Sequence, residues 1–170
     1  MVHENPQKKK LLVVYHSLTG GTRQMVEAFE AGASAEPAVT TEIRHASRTD
    51  ANDVLSAHGF VFATPENLAA MSGQLKDFFD RTYYDILEKV NARPYGIMVC
   101  AGSDGQNAVR QIERIATGWR LKLVQPALII NTKAQSAQEI LAPKNLTEEQ
   151  ITPCREFGAL FTTAMAMSIY

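Results

Sequence analysis

The chain has 170 residues, 45% of them hydrophobic and 21% charged, with a formal net charge of −1, which is the length of one domain with enough apolar mass for a full core. A charge this close to zero excludes the strong field by which proteins recruit nucleic acid or an anionic membrane surface. Two cysteines, Cys100 and Cys154, show no metal or disulfide-framework spacing and fit a reducing, cytoplasmic setting, and no segment reaches the ~20 apolar residues that span a bilayer.

Residues 1–10 are polar and end in Lys8, Lys9 and Lys10. The apolar run that follows falls short of the roughly 7–15 residues of a signal-peptide core. Residues 1–10 therefore read as a flexible, solvated leader, and residues 11–170 as one domain. Residues 11–15 are continuously apolar, the pattern of a strand covered on both faces. His16, Ser17, Leu18, Thr19, Gly20, Gly21 and Thr22 form a hydroxyl-rich turn, behind which Met25, Val26 and Phe29 recur at helical spacing. A strand, turn and helix in this order aim backbone N–H groups and three hydroxyls at one point, which suits a phosphate. In residues 39–44 the sides alternate, with Val39, Thr41 and Ile43 against Thr40, Glu42 and Arg44. That alternation predicts an edge strand with one wet face. A weaker helix is predicted between Asp50 and Ser56.

Residues 60–63 predict the next buried strand. Residues 64–73 (Thr-Pro-Glu-Asn-Leu-Ala-Ala-Met-Ser-Gly) follow it as a loop. Leu75, Phe79, Ile86 and Val90 then predict a long helix whose stripe is widened by Phe78, Tyr83 and Leu87. Residues 97–100 form a further apolar run, followed by the loop 101–105 (Ala-Gly-Ser-Asp-Gly) and a helix marked by Val109, Ile112, Ile115 and Ala116. Trp119, at the end of that helix, is expected to pack in the core at the opposite end of the sheet. Residues 127–130 predict the last strand. Thr147-Glu-Glu-Gln150 reads as a capping box, and Phe157, Leu160, Phe161 and Ala164 mark the final helix. Pro153 sits too deep for an undisturbed helix and predicts a break near Thr152.

This alternation of strands and helices defines an α/β fold: a three-layer, doubly wound, five-stranded parallel sheet with helices on both faces. Pro126 removes a ladder donor and belongs at an edge, as does the alternating second strand. The order 2-1-3-4-5 puts both at edges and places the switch point between strands 1 and 3, where such sheets bind ligands. Three loops meet there: residues 16–22, 64–73 and 101–105. The first lacks the lysine of a nucleotide P-loop and the glycine pattern of a dinucleotide site. The end of the first strand carries Tyr15-His16 rather than the acidic residues that hold a divalent cation. A phosphate held by hydroxyls and amides alone remains, a description that flavin mononucleotide (FMN) fits.

Ser17-Leu-Thr-Gly-Gly-Thr22 matches the [ST]-x-T-G-x-T phosphate loop of flavodoxin-like proteins. Thr64-Pro-Glu66 with Met71-Ser-Gly-Gln-Leu-Lys-Asp-Phe-Phe-Asp-Arg81 resembles the second loop and following helix of the NAD(P)H-dependent FMN reductases and the Trp-repressor-binding-protein type quinone reductases. The resemblance spans residues 11–130 and implies a flavodoxin-like FMN-binding domain. It implies that Ser17, Thr19 and Thr22, with the amides of Leu18, Gly20 and Gly21, hold the FMN phosphate. Thr64, Pro65, Glu66, Asn67 and Leu68, with Met71, Ser72 and Gly73, would border the isoalloxazine. Ala101, Gly102 and Ser103 would complete the ring site. His16 either touches the phosphate or ring edge or is satisfied by backbone. Where the family often carries an aromatic residue after Pro-Glu, this chain has Asn67, and neither ring loop contains an aromatic. The ring is then packed by aliphatic groups or by a second subunit.

Beside these readings stand simpler ones. Ser17 and Thr22 are also ordinary helix caps; Arg23 is expected to face solvent, Asp104 to cap the following helix, and Lys76 and Arg81 to lie on an outer helix face. Three functions follow. The first is an oxidoreductase that passes a hydride from NAD(P)H through FMN to a small-molecule electron acceptor such as a quinone or flavin, assembled by analogy as a homodimer or higher oligomer. The second is a flavodoxin-type electron carrier, which the near-neutral charge disfavours. The third is a non-redox binding module on the same fold. No metal site is expected.

Overall fold

The computed structural model describes residues 8–170. Residues 1–7 of the expected leader lie outside them, and Lys9 and Lys10 belong instead to the first strand. The elements in chain order are β1 (Lys9–Tyr15), α1 (Gly21–Ala33), β2 (Val39–His45), a 3-10 turn (Ala46–Arg48), α2 (Ala51–Ser56), β3 (Gly59–Asn67) and β4 (Ala70–Met71). They continue with α3 (Gly73–Ile86), β5 (Pro94–Ala101), α4 (Gln106–Gly118), β6 (Lys122–Leu123), β7 (Leu128–Asn131), α5 (Ala137–Leu141) and α6 (Glu148–Ala166).

The sheet runs β2-β1-β3-β5, with β6 and β7 both parallel to β5 along its outer edge. The fifth position of the expected 2-1-3-4-5 order is therefore one interrupted strand. Leu123 stands opposite Tyr95 and Leu128 opposite Met98, so two residues are looped out across Pro126. Proline at a bulge on an edge is where a missing ladder donor does least harm.

Strand residues alternate between two cores. Leu12, Val14, Phe60, Phe62, Ile97 and Val99 face α3 and α4, whereas Leu11, Val13, Val61, Ala63, Met98 and Cys100 face α1 and α6. Every residue of β5 is buried, as a strand covered on both faces requires. Trp119 is fully buried and packs edge-on against Phe62, Phe78 and Phe79 at centroid distances of 5.3–6.1 Å. Arg81 is exposed on α3, where it pairs with Asp77. Its guanidinium donates to the carbonyls of Thr49 and Ala46 at 3.0 and 2.9 Å and ties α3 to the turn after β2.

The expected break at Pro153 is absent: α6 is continuous from Glu148 to Ala166. Thr147 and Gln150 form the capping box at its start, with Oγ1 accepting from Gln150 N at 3.3 Å and Oε1 from Thr147 N at 2.9 Å. The carbonyl that Pro153 leaves without a donor belongs to Glu149, which is exposed to water. The rest of the helix is held by packing, since Cys154, Phe157, Phe161 and Met165 all lie in the α1 core. Gly32 and Gly158 let the α1 and α6 backbones touch there.

Candidate functional site

Residues 16–20 join β1 to α1. Gly20 is the N-cap at φ +92°, a left-handed conformation that glycine adopts without strain. The intrahelical ladder begins with Gln24 N donating to Gly20 O at 3.1 Å, so the amides of Gly21 and Thr22 precede it. The N-cap is Gly20, not Ser17 or Thr22; Ser17 Oγ accepts from Arg23 N, in the first turn, at 3.2 Å. Arg23 itself is exposed and 3.6 Å from Glu27. Thr22 is buried and its Oγ1 has no hydrogen-bond partner. Gly21 forms a cradle, since a Cβ there would lie 2.5 Å from Cys100 Sγ. An orphaned hydroxyl at a cradle of helix-start amides fits the phosphate of FMN.

The segment 64–73 is a hairpin rather than a loop. β3 continues to Asn67, and Glu66 and Asn67 pair antiparallel with Met71 and Ala70. Leu68 and Ala69 turn the corner at φ 50° and 61°, positions where Asn and Gly are favoured. Three contacts to α4 hold this strained tip. Glu66 Oε2 accepts from Gly105 N at 2.9 Å, Asn107 Nδ2 donates to Ala69 O at 2.7 Å, and Gln111 Oε1 accepts from Met71 N at 2.9 Å. Asp104 does not cap α4: the N-cap is Gly105, at φ 84°, and the carboxylate beside it comes from Glu66.

A cleft of about 70 Å³ opens at the carboxyl ends of β1, β3 and β5. It gathers Ser17, Leu18, Thr19, Gly21 and Thr22, the hairpin stem Pro65, Glu66 and Asn67, and Ala101 and Gly102. Cys100 lines it as well. Gly20 faces a neighbouring cavity of about 410 Å³ with Tyr15, Arg23 and His45. The other residues that the resemblance grouped with the site lie elsewhere. Thr64 and Ser72 are buried against each other, with Ser72 N donating to Thr64 Oγ1 at 3.0 Å, and Ser72 Oγ caps α3. Met71 is in the core, Gly73 lines a groove between α3 and α4, and Leu68 is wholly exposed at the turn. Ser103 is exposed, and its carbonyl accepts from Asn131 Nδ2.

His16 is buried beneath the loop. Its backbone N donates to Ala63 O at 3.1 Å, its ring meets His45 edge-on at 5.6 Å, and its Nδ1 is unpartnered. Burial, with a smaller effect from His45, lowers its pKa below the usual histidine value, which favours the neutral ring. Burial likewise pushes the Cys100 thiol up to about 11 and the Cys154 thiol up to about 12. Neither is a thiolate at neutral pH.

One wall of the cleft had no counterpart among the predicted site residues. Residues 132–146 leave β7, cross the cleft and enter α6, contributing Thr132, Ala134, Ile140 and Lys144. Lys144 N donates to Thr19 O at 2.8 Å, Gln24 Nε2 to Lys144 O at 2.6 Å, and Leu146 N to Gln24 Oε1 at 3.0 Å. At the other end Gln135 Nε2 donates to Gly102 O at 3.2 Å. The sequence did hold a sign of α5, in the capping box Ser136-Ala-Gln-Glu139. Among the described residues no group of three His, Cys, Asp or Glu side chains is placed to hold a metal ion, and no helix is long and apolar enough to cross a membrane.

The site is thus a hydroxyl- and amide-lined cleft at the switch point of a doubly wound parallel sheet. Residues 45–135 match the NADPH-dependent FMN reductase family, and the chain belongs to that family. The match takes in the hairpin and the end of β5, while the loop 16–22 precedes it. The chain is similar to a flavodoxin of Aquifex aeolicus, 31% identical over a 94-position alignment covering 55% of this chain and 49% of that protein. It is also similar to an NAD(P)H dehydrogenase (quinone) of Acidithiobacillus ferrooxidans, 30% identical over 93 positions covering 43% of this chain and 46% of that protein. The chain spans about half the length of the curated relatives it matches. The structure of an archaeal flavodoxin superposes with a TM-score of 0.74 at 18% identity, covering 91% of this chain and 96% of that one, a likeness of fold.

Proposed function

We propose that this protein binds FMN and is an oxidoreductase that takes a hydride from NAD(P)H and delivers its electrons to a quinone, flavin or similar small acceptor. The observation that carries the reading is the orphaned, buried Thr22 hydroxyl beside the Gly20–Gly21 cradle, in a chain of the NADPH-dependent FMN reductase family. FMN, when bound, supplies the redox chemistry, and a protein of this kind binds, orients and shields it. Thr22, Ser17 and the first amides of α1 would take the phosphate. Pro65, Glu66 and Asn67 on one side and Ala101 and Gly102 on the other would border the ring through their backbones, because the Glu66 carboxylate is already engaged by Gly105 N. The cleft's thiol, Cys100, is kept protonated at neutral pH by burial.

Anaerobic addition of NADPH or NADH to the FMN-loaded protein should bleach the flavin absorbance band within the mixing time or seconds after it. FMN that binds but stays oxidised under saturating nicotinamide would reject the reductase and leave a carrier. A protein that takes up no FMN would reject both.

We also infer that the working form is a homodimer or higher oligomer. Leu68 is wholly exposed at the tip of the hairpin whose stem lines the cleft, and a large apolar group left in water beside a ligand site favours a covering partner. Sedimentation should give at least twice the mass of the chain; a purely monomeric species at micromolar concentration contradicts this. The free, buried thiols support a reducing, cytoplasmic setting.

A further inference from the structure

A cation beside a dianionic phosphate strengthens its binding, and the loop 16–22 itself contains no lysine or arginine. Arg23 is exposed, with Nε 3.6 Å from Glu27 and its guanidinium beside Gly20, where it lines the neighbouring cavity and not the cleft that holds Thr22. The fold brings a cation from 120 positions along the chain. Lys144 is half-buried and lines the same cleft as Ser17, Thr19 and Thr22. Its stem crosses the cradle, with Cγ and Cβ at 3.5 and 3.6 Å from where a Gly21 Cβ would stand. Its backbone is latched by Lys144 N donating to Thr19 O and Lys144 O accepting from Gln24 Nε2, while Gln24 Oε1 accepts from Leu146 N two residues on.

The charge of Lys144 has no acidic partner. Its Nζ donates to the carbonyls of Glu139, Ile140 and Ala142 at 2.7, 2.9 and 2.7 Å, and no carboxylate lies within ion-pair distance of it among the described residues. The Glu139 carboxylate is turned away to the amides of Gln135 and Ser136. Lys144 and Cys100 line the same cleft; burial raises the thiol's pKa, and the lysine's charge lowers it against that larger effect. An ammonium held only by neutral carbonyls gains by exchanging one of them for a phosphate oxygen, because a hydrogen bond between two ions is shorter and stronger. The released carbonyl is on an exposed helix end and can take water.

We propose that Lys144 is the cation of the phosphate site, supplied by the segment 132–146 rather than by the loop, and that it sets the preference for a phosphorylated flavin over riboflavin. The inference rests on the FMN reading above. Two independent features point to the anion: an ammonium bonded to carbonyls but without a carboxylate counter-charge, on a residue of one wall, and the buried, orphaned Thr22 Oγ1 on the other.

The test is a fluorescence-quenching titration of the wild type, Lys144→Gln and Lys144→Arg, each with FMN and with riboflavin, at low and high salt. Lys144→Gln should weaken FMN by at least about tenfold, the loss expected for one charge-assisted hydrogen bond, with riboflavin affinity unchanged. Lys144→Arg should restore most of the loss. The salt dependence of FMN binding should flatten in Lys144→Gln. An unchanged ratio of FMN to riboflavin affinity in Lys144→Gln overturns the inference, and so does an equal loss for both ligands, which is what a merely structural cap on α5 predicts. If the variant does not fold, as read by circular dichroism, the comparison is made between the wild type and Lys144→Arg with inorganic phosphate as competitor. Phosphate that fails to displace FMN from either then overturns it. Wild type that binds riboflavin but shows no gain with FMN also overturns it, whereas wild type that binds neither removes the FMN reading itself.

Discussion

Replacing Gly158 by alanine is expected to lower the unfolding free energy by about 3 kcal/mol, the upper end of overpacking costs. Helix propensity alone gives the opposite sign, since glycine in the middle of a helix is about 1 kcal/mol worse than alanine. Packing decides between them. A Cβ at Gly158 would stand 2.1 Å from Phe29 O and 2.9 Å from its carbonyl carbon, and these atoms belong to the α1 backbone, not to a side chain that can swing away. The contact is reciprocal, because a Cβ at Gly32 would stand 1.9 Å from Arg155 O. Relief therefore requires α6 to move off α1, opening the core around Phe29, Phe157 and Phe161. Urea unfolding should show a lower midpoint at an unchanged slope. The double variant Gly32→Ala with Gly158→Ala should lose less than the sum of the singles, since the first clash already separates the helices. A midpoint that rises would mean that propensity outweighs the contact. Because α1 carries the proposed phosphate loop at its N-terminus, the same shift should also weaken FMN.

The parallel strands and their two-sided burial were readable from the sequence because each apolar run is short and continuous, and neighbouring residues such as Leu11 and Leu12 feed opposite cores. The edge character of β2 was readable from its alternation, and that of the last strand from Pro126. The hairpin at 66–71 was not. Leu68-Ala69 has none of the chemistry that marks a two-residue turn, and what imposes the turn is long-range: Glu66 on Gly105 and Asn107 on Ala69. The unbroken α6 shows the same limit. The local rule for Pro153 is sound, but burial of Cys154, Phe157 and Phe161 against α1 outweighs one lost hydrogen bond at an exposed turn. At the site, the loop Ser17–Thr22 announced itself by composition. Lys144 could not, because nothing local says that residues 132–146 return across the sheet to Gln24.

Thr22→Val is expected to move stability and binding in opposite directions. Valine matches threonine in shape and helix propensity, so the change removes little except the hydroxyl. That hydroxyl is buried and makes no hydrogen bond to the rest of the chain, and a buried unsatisfied group of this kind costs about 1–3 kcal/mol. The variant without flavin should therefore be more stable by about 1 kcal/mol or more, read as a higher urea midpoint at an unchanged slope. FMN affinity should fall by about tenfold or more, the equivalent of one hydrogen bond to a charged phosphate oxygen, and riboflavin affinity should stay as it was. Were Thr22 no more than a residue at a helix start, both quantities would remain near their wild-type values. A gain in stability with unchanged FMN affinity would mean that the hydroxyl serves no ligand at this position. A loss of FMN affinity together with greater stability marks a group kept for its ligand at the expense of the fold, the trade expected where a sequence departs from local rules at a working site.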